Sequence, residues 1–280
     1  MSKLTQRLLV FFIGVPVCLL FVYFDFLYHL PLNVLIVTAS VIAANEFYNM
    51  CKQKSSMFPR ALLLIFAGIL PLITYLFALF NIDVNLVLWV LAAEIIVLLA
   101  IETISQQSFE NSLPKISYAV LLLFYTGYMP TFISRISFIK NYSRYFFSLF
   151  LLFVFLCDSA AWFFGLLFGK NNRGLFKASP NKSIAGFIGG ILSTVALAAL
   201  AKLFFSDIFY GGWWKILLLA FFTAIAGIIG DLVESVFKRS ADVKDSGKII
   251  PGRGGVLDSI DSILIAAPIF YMGCYIFYNI

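Results

Sequence analysis

Charge is the scarcest commodity in this sequence. Of 280 residues only 12% are charged, where a soluble domain carries about 25%, and no polar segment is long enough to build a soluble domain. There is a single histidine, His29, so a histidine-based metal site or catalytic triad is excluded, and an interfacial residue is its plain reading. The four cysteines, Cys18, Cys51, Cys157 and Cys274, are scattered through or beside apolar segments without a CxxC spacing. Neither a disulfide framework nor a zinc site follows from them. No stripe of alternating aromatic and basic residues of the kind single-strand binders use is present. The net charge of +6 is spread through loops, and no nucleic acid is expected as a partner. No simple internal repeat is visible. In place of these, 62% of the residues are hydrophobic and 32 are phenylalanine, which suits helices that face lipid.

A membrane-spanning helix needs ~20 mostly apolar residues. Nine segments qualify, at roughly 6–25, 31–50, 60–79, 83–102, 114–134, 145–169, 183–205, 212–236 and 256–278. The expectation is an all-α polytopic membrane protein with about nine transmembrane helices. The first segment follows Lys3 and Arg7 but leads into FVYFDFLYHL without a small-x-small cleavage site, so it reads as a retained helix. With the N-terminus inside, 15 of the 20 cations fall in cytoplasmic loops, and Arg135, Lys140, Arg144, Lys202 and Lys215 fall outside. That bias favours an N-in, C-out chain, with loop 135–144 as the exception. The two richest polar loops, 170–182 and 238–255, then share the cytoplasmic side.

The last polar stretch, Ser235 to Asp261, packs five cations, four carboxylates and four glycines between two apolar segments. Charge held at a membrane boundary is costly, and function is its default explanation. Asp231, Ser235 and Lys238, with Arg239 one further, fall on one helical face at i, i+4 and i+7. That face looks to a partner helix or a wet cavity; a salt bridge at a helix end is the simpler alternative. Lys244, Asp245, Lys248 and Arg253 follow at once. Gly252, Gly254 and Gly255 open the last helix, where free N–H groups and the helix dipole make a natural anion cradle; a plain turn is the alternative. Asp258 and Asp261 stand at i, i+3 on that helix. They read either as capping acids, worth ~0.3–1 kcal/mol, or as a magnesium site joined by Asp231, since magnesium takes a few carboxylates plus substrate phosphates and water.

Asp158, in LCDSAAWFFG, lies deep in an apolar segment and must face protein, a cation or water. Glu46 and Glu94 raise the same question and are read as structural. In SPNKSIAGFIGG, Lys182 and Ser183 begin a helix whose Gly186, Gly189 and Gly190 permit close helix contact. A lysine at a helix N-terminus opposes the dipole, unless an anion sits beside it; snorkelling into the interface is the other reading.

Taken in order, these residues resemble the phosphatidate cytidylyltransferase (CDP-diacylglycerol synthase) family. Its signature reads S-x-x-K-R-x4-K-D-x-G, an apolar-Pro pair, then G-H-G-G-x-x-D-R-x-D. The chain supplies Ser235, Lys238, Arg239, Lys244, Asp245, Gly247, Ile250, Pro251, Gly252, Gly254, Gly255, Asp258 and Asp261 at that spacing. The blocks DSAAWFFGLLFGK and SPNKSIAGFIGG are also similar to it. The motif match covers roughly the last 130 residues, and the first 110 resemble the family in hydropathy and loosely in sequence. Arg253 stands where the family has His, and Ser259 where it has Arg. Arg253 can bind phosphate but cannot transfer protons near neutral pH.

The resemblance implies transfer of the cytidylyl group of CTP to phosphatidic acid, with magnesium, as one or two ions, on Asp231, Asp258 and Asp261. Asp231, Lys238, Arg239, Lys244 and Asp245 would carry catalysis. Asp158, Lys182, Ser183, Ser235, Arg253, Gly254 and Gly255 would line the substrates. It implies a division into residues 1–110 and a catalytic part 111–280, a bacterial-type inner membrane location with the site facing the cytoplasm, the lipid bilayer as a partner, and a homodimer. Two other readings stay open: a CTP-dependent lipid or polyprenol kinase, which would release CDP instead of pyrophosphate, and a transporter of phosphorylated solutes, against which the one-sided charge counts.

Overall fold

The structure is a computed structural model and describes residues 14, 16–17, 20–24, 26–105, 109–139 and 141–279. Helix is the rule, and no strand occurs among the described residues. A backbone in lipid must satisfy its own N–H and C=O groups, which helices do internally. The helices are α1 (Leu30–Lys52), α2 (Arg60–Leu79), α3 (Val87–Ser105), α4 (Ser112–Leu122), α5 (Met129–Ser137), α6 (Ser143–Phe168), α7 (Ile184–Phe204), α8 (Trp213–Ser240) and α9 (Leu257–Tyr278). A π-helical turn, Leu123–Tyr128, joins α4 to α5, so those three form one span, Ser112–Ser137. Among the described residues, eight spans are long and apolar enough to cross a membrane, by length and composition. They agree with the last eight segments read from sequence to within a few residues. The ninth, 6–25, lies largely outside the described residues.

The chain forms two compact units. One holds residues up to 138 together with 240–259; the other holds 139–239 and 260–280. This division differs from a boundary at residue 110, because both residues 111–138 and the polar loop after α8 fall in the first unit.

In the first unit, α1, α2, the π turn and α5 pack together. Two breaks in regular helix meet there. Pro71 lies inside α2 and has no N–H to give the carbonyl of Ala67, four residues back. The π turn disturbs the ladder at Thr126. Ser40 of α1, fully buried, contacts both carbonyls, Ala67 O at 3.0 Å and Thr126 O at 2.5 Å. Gly127 makes the approach possible, since a Cβ there would lie 3.0 Å from Ala67 Cα and 2.9 Å from Leu70 Cδ1.

In the second unit, α6 packs along α7. A Cβ on Gly186 would come 2.5 Å from the carbonyl oxygen of Ala161, and one on Gly190 would come 2.8 Å from that of Cys157. Small residues are what let spans approach in lipid, where apolar burial drives little. Helices α8 and α9 cross in the same way at Gly230, whose Cβ would stand 2.5 Å from Asp261 O. Phe146, Phe150, Phe153, Phe270 and Tyr278 fill the interior with tilted and edge-to-face contacts.

Three of the cations that break the inside bias have structural work. Arg135, 6% exposed, donates to Asn85 Oδ1 at 3.1 Å and to Val84 O at 3.0 Å. Lys202 donates to Phe209 O, and Lys215 to Phe277 O at 2.7 Å. Each charge is fixed on a carbonyl of its own unit, which accounts for its place without reference to loop charge.

Candidate functional site

Among the described residues, most of the polar residues singled out in the sequence gather in two clusters, one in each unit. The first is built on the loop before α9. Ile250-Pro251-Gly252-Arg253 is a type II turn, with Pro at the second position, Gly252 at φ 76° and Arg253 N donating to Ile250 O at 3.1 Å. Gly254 N also donates to Ile250 O, at 2.9 Å. The loop then runs into the N-terminus of α9, where unpaired N–H groups attract an anion. The anions found there belong to the protein. Glu46 of α1 accepts from Val256 N at 3.0 Å, Leu257 N at 2.8 Å and Ser246 Oγ at 3.0 Å. Asp258 Oδ2 accepts from Gly255 N at 2.7 Å, Ser246 N at 2.8 Å and Ser246 Oγ at 2.8 Å. Where the sequence suggests an anion cradle, two of the protein's own carboxylates take the N–H groups of Gly255, Val256 and Leu257. Lys244, Asp245 and Lys248 project into solvent beside it, and Arg253 is half-buried. Lys54 pairs with Asp242 at 2.5 Å.

The second cluster lies on α6, α7, α8 and α9. Lys182, just ahead of α7, pairs with Asp231 of α8. The lysine that opposes the helix dipole thus has its anion, supplied by a neighbouring helix. Lys238 pairs with Glu234 one turn back on α8. Glu234 is completely buried, which a carboxylate tolerates only when paired or hydrogen-bonded. Asp261, 7% exposed, accepts from Ser262 N at 2.6 Å. Ser262 Oγ donates to Asp158 Oδ1 at 3.5 Å. The charges of Asp231, Glu234 and Asp158 all bear on Asp261. Gly230 explains the crowding, because its missing side chain brings α8 against α9 beside Asp231 and Asp261.

Ser183 caps α7, its hydroxyl accepting from Gly186 N at 3.1 Å. Loop 170–182 is tied to the same end: Asn172 accepts from Ile184 N and Ala185 N at 3.1 and 3.4 Å, and Arg239 Nε donates to Ala178 O at 3.3 Å. Ser235 is buried on α8 next to Glu234.

Of the residues picked out in sequence, the structure brings Asp158, Lys182, Asp231, Lys238 and Asp261 together in the second unit. Asp245, Gly254, Gly255 and Asp258 gather in the first. Sequence reasoning passed over Glu234, although it stands at i, i+3 from Asp231 and i, i+4 before Lys238. It also left Glu46 without partners, because those partners lie 200 to 211 residues away. Among the described residues, no group of three or more His, Cys, Asp or Glu side chains is set closely enough to hold a metal alone. The donors present are nonetheless hard oxygens. In this cluster four carboxylates, Asp158, Asp231, Glu234 and Asp261, stand with two lysines, Lys182 and Lys238. Magnesium, which takes hard oxygen ligands, completes its shell with water and substrate phosphate rather than a full protein cage.

Fold and site together define an integral, multi-pass helical membrane protein with lysine-paired carboxylates on its spans. The chain belongs to the cytidylyltransferase family, whose model matches residues 5–277. It is 31% identical to the phosphatidate cytidylyltransferase of Bacillus subtilis (strain 168), over 97% of both chains. It is 46% identical to that of Staphylococcus haemolyticus (strain JCSC1435) over 119 residues, 42% of this chain and 44% of that one. A Staphylococcus aureus (strain COL) protein of the same name is 44% identical over a stretch of the same length.

Proposed function

We propose that this protein transfers the cytidylyl group of CTP to phosphatidic acid, giving CDP-diacylglycerol and pyrophosphate. The observation that carries the reading is the second-unit cluster, four crowded carboxylates and two lysines within a family of cytidylyltransferases. A phosphatidate oxygen attacks the α-phosphorus of CTP in line. The new O–P bond forms as the bond to the β-phosphate breaks, and pyrophosphate leaves with that electron pair. The attacking phosphate is already ionised near neutral pH, so no strong base is needed. Catalysis is then positioning and charge neutralisation.

Asp231 and Asp261 would hold magnesium, with Asp158 and Glu234 adding to the negative field around them. Bound magnesium would neutralise the developing charge on the phosphates. Lys182 and Lys238 each already hold a carboxylate. Their ammonium groups exchange that partner for a substrate phosphate oxygen, an equally charged acceptor. Arg239 joins them on the same helix end. Ser183 and Ser235 add hydroxyls to the lining. Lys244 and Arg253 are assigned to phosphate recognition on the strength of the motif, beside Asp245. Gly254, Gly255 and Asp258 give the loop its shape, and Asp258, through that loop, remains a candidate magnesium ligand. Arg253, always charged, acts by charge and not by proton transfer.

The finer topology belongs to the same proposal. Segment 6–25 adds a ninth span and the chain runs N-in, C-out, supported by the cation bias. The site opens to the cytoplasm of a bacterial-type inner membrane, where CTP is found, while the lipid enters from the bilayer. A homodimer is proposed on the family resemblance.

The test is turnover by purified protein with phosphatidic acid, labelled CTP and magnesium. Magnesium-dependent CDP-diacylglycerol with one pyrophosphate per turnover is expected. Release of CDP would mark a kinase and overturn the reading.

A further inference from the structure

We propose that Glu46, on the first described span, is a positioning residue for the motif loop of the transferase. The inference rests on the reaction proposed above. Glu46 is 3% exposed and takes three donors from the loop and the start of α9: Ser246 Oγ, Val256 N and Leu257 N, at 3.0, 3.0 and 2.8 Å. Both of its oxygens are used, Oε1 by Val256 and Oε2 by Leu257 and Ser246. The loop is shaped around this carboxylate. A Cβ on Gly247 would fall 2.7 Å from Glu46 Cδ, and one on Gly255 would fall 2.6 Å from it. Two glycines of the motif are therefore explained by a residue some 200 positions earlier in the chain.

Glu46 reaches the motif's acid through Ser246. The Ser246 hydroxyl stands 3.0 Å from Glu46 Oε2 and 2.8 Å from Asp258 Oδ2, and it has one proton to donate. The bond it makes to one carboxylate is withdrawn from the other. Glu46 thereby sets how firmly Asp258 is held, and with it the path of Gly254 and Gly255. A glutamine is no substitute. It offers one acceptor oxygen and turns an NH2 group toward an N–H or hydroxyl donor.

The test uses Glu46→Gln, Glu46→Asp and Ser246→Ala in full-length protein in phospholipid nanodiscs. Three readouts are taken: turnover of CTP, tryptic cleavage after Lys244, Lys248 and Arg253, and thermal unfolding. Glu46→Gln is expected to lower kcat about 10–100-fold, the range for residues that orient a functional group from behind. Loop cleavage should accelerate severalfold. Glu46→Asp should recover part of both, because charge returns but reach is short. Ser246→Ala should fall between parent and Glu46→Gln, since two N–H bonds to Glu46 survive. Parental kcat in Glu46→Gln overturns the proposal, as does lost kcat with unchanged loop cleavage. If Glu46→Gln does not fold, Ser246→Ala decides: parental turnover and cleavage overturn it. If the parent makes no CDP-diacylglycerol, the proposed reaction fails while the cleavage comparison still judges Glu46 as the loop's anchor.

Discussion

The two carboxylate clusters are made of the same chemistry and held in opposite ways. In the first unit, Glu46 and Asp258 are surrounded by backbone N–H groups and one hydroxyl, donors that are fixed in place and carry no full charge. In the second unit, the charges of Asp158, Asp231 and Glu234 bear on Asp261, and Asp231 and Glu234 meet lysines. An acid ringed by N–H groups shapes the chain. Acids pressed together and paired with lysines hold the chain only weakly and gain when a cation or a phosphate-bearing ligand arrives. The first cluster is a clasp, and the second is the one proposed to exchange its partners for substrate and metal.

That distinction breaks most sharply at Asp261. Asp261→Asn is expected to cut kcat about 10²–10³-fold, the loss seen when one preorganised electrostatic group is removed. Its unfolding temperature should hold or rise, because one of four repelling charges is gone. A fall in stability with activity intact would reverse the assignment of the two clusters. Asp258→Asn comes next. The amide keeps the shape but loses acceptor capacity toward Ser246 and Gly255, so turnover should drop about 10–100-fold. Here stability should fall and tryptic cleavage of the loop should rise, the opposite sign to Asp261→Asn.

Lys182→Met tests the exchange of partners directly. It removes one charge-assisted hydrogen bond, worth ~1.5–3 kcal/mol, and kcat/KM should fall about 10–100-fold, mainly through KM for CTP or phosphatidic acid. Equal KM values with a lower kcat would argue that Lys182 never leaves Asp231. The smallest effect belongs to Ser183→Ala, which removes the α7 cap at a cost of about 1 kcal/mol. Thermal unfolding should register it, while turnover falls less than threefold; a larger kinetic effect would move Ser183 from capping to substrate contact.

Much of this was legible in sequence because the bilayer dictates helix length. The spans at 60–79 and 256–278 fall almost where composition places them. The stripe of Asp231 and Lys238 was visible because helix geometry repeats every 3.6 residues. The anion opposite Lys182 was foreseeable as a need, from the helix dipole, but not as Asp231. The π turn at Leu123–Tyr128 left no trace, since it depends on Ser40 of α1 satisfying Thr126 and Ala67. Glu46 was opaque for the same reason. Its flanking residues read as ordinary span, and everything that explains it is encoded far downstream. Glu234 was different. The signal was present at i, i+4 to Lys238, and it was overlooked.

The distance between Glu46 and its partners also has a consequence in time. When α1 leaves the ribosome, Ser246, Val256 and Leu257 do not yet exist. Roughly 200 more residues must be translated, which at ~5–20 residues per second takes about 10–40 s. Throughout that interval the nascent span carries a carboxylate without the donors that will later enclose it. Folding of the first unit therefore includes a late fastening step, in which a polar segment made some 200 residues later captures α1.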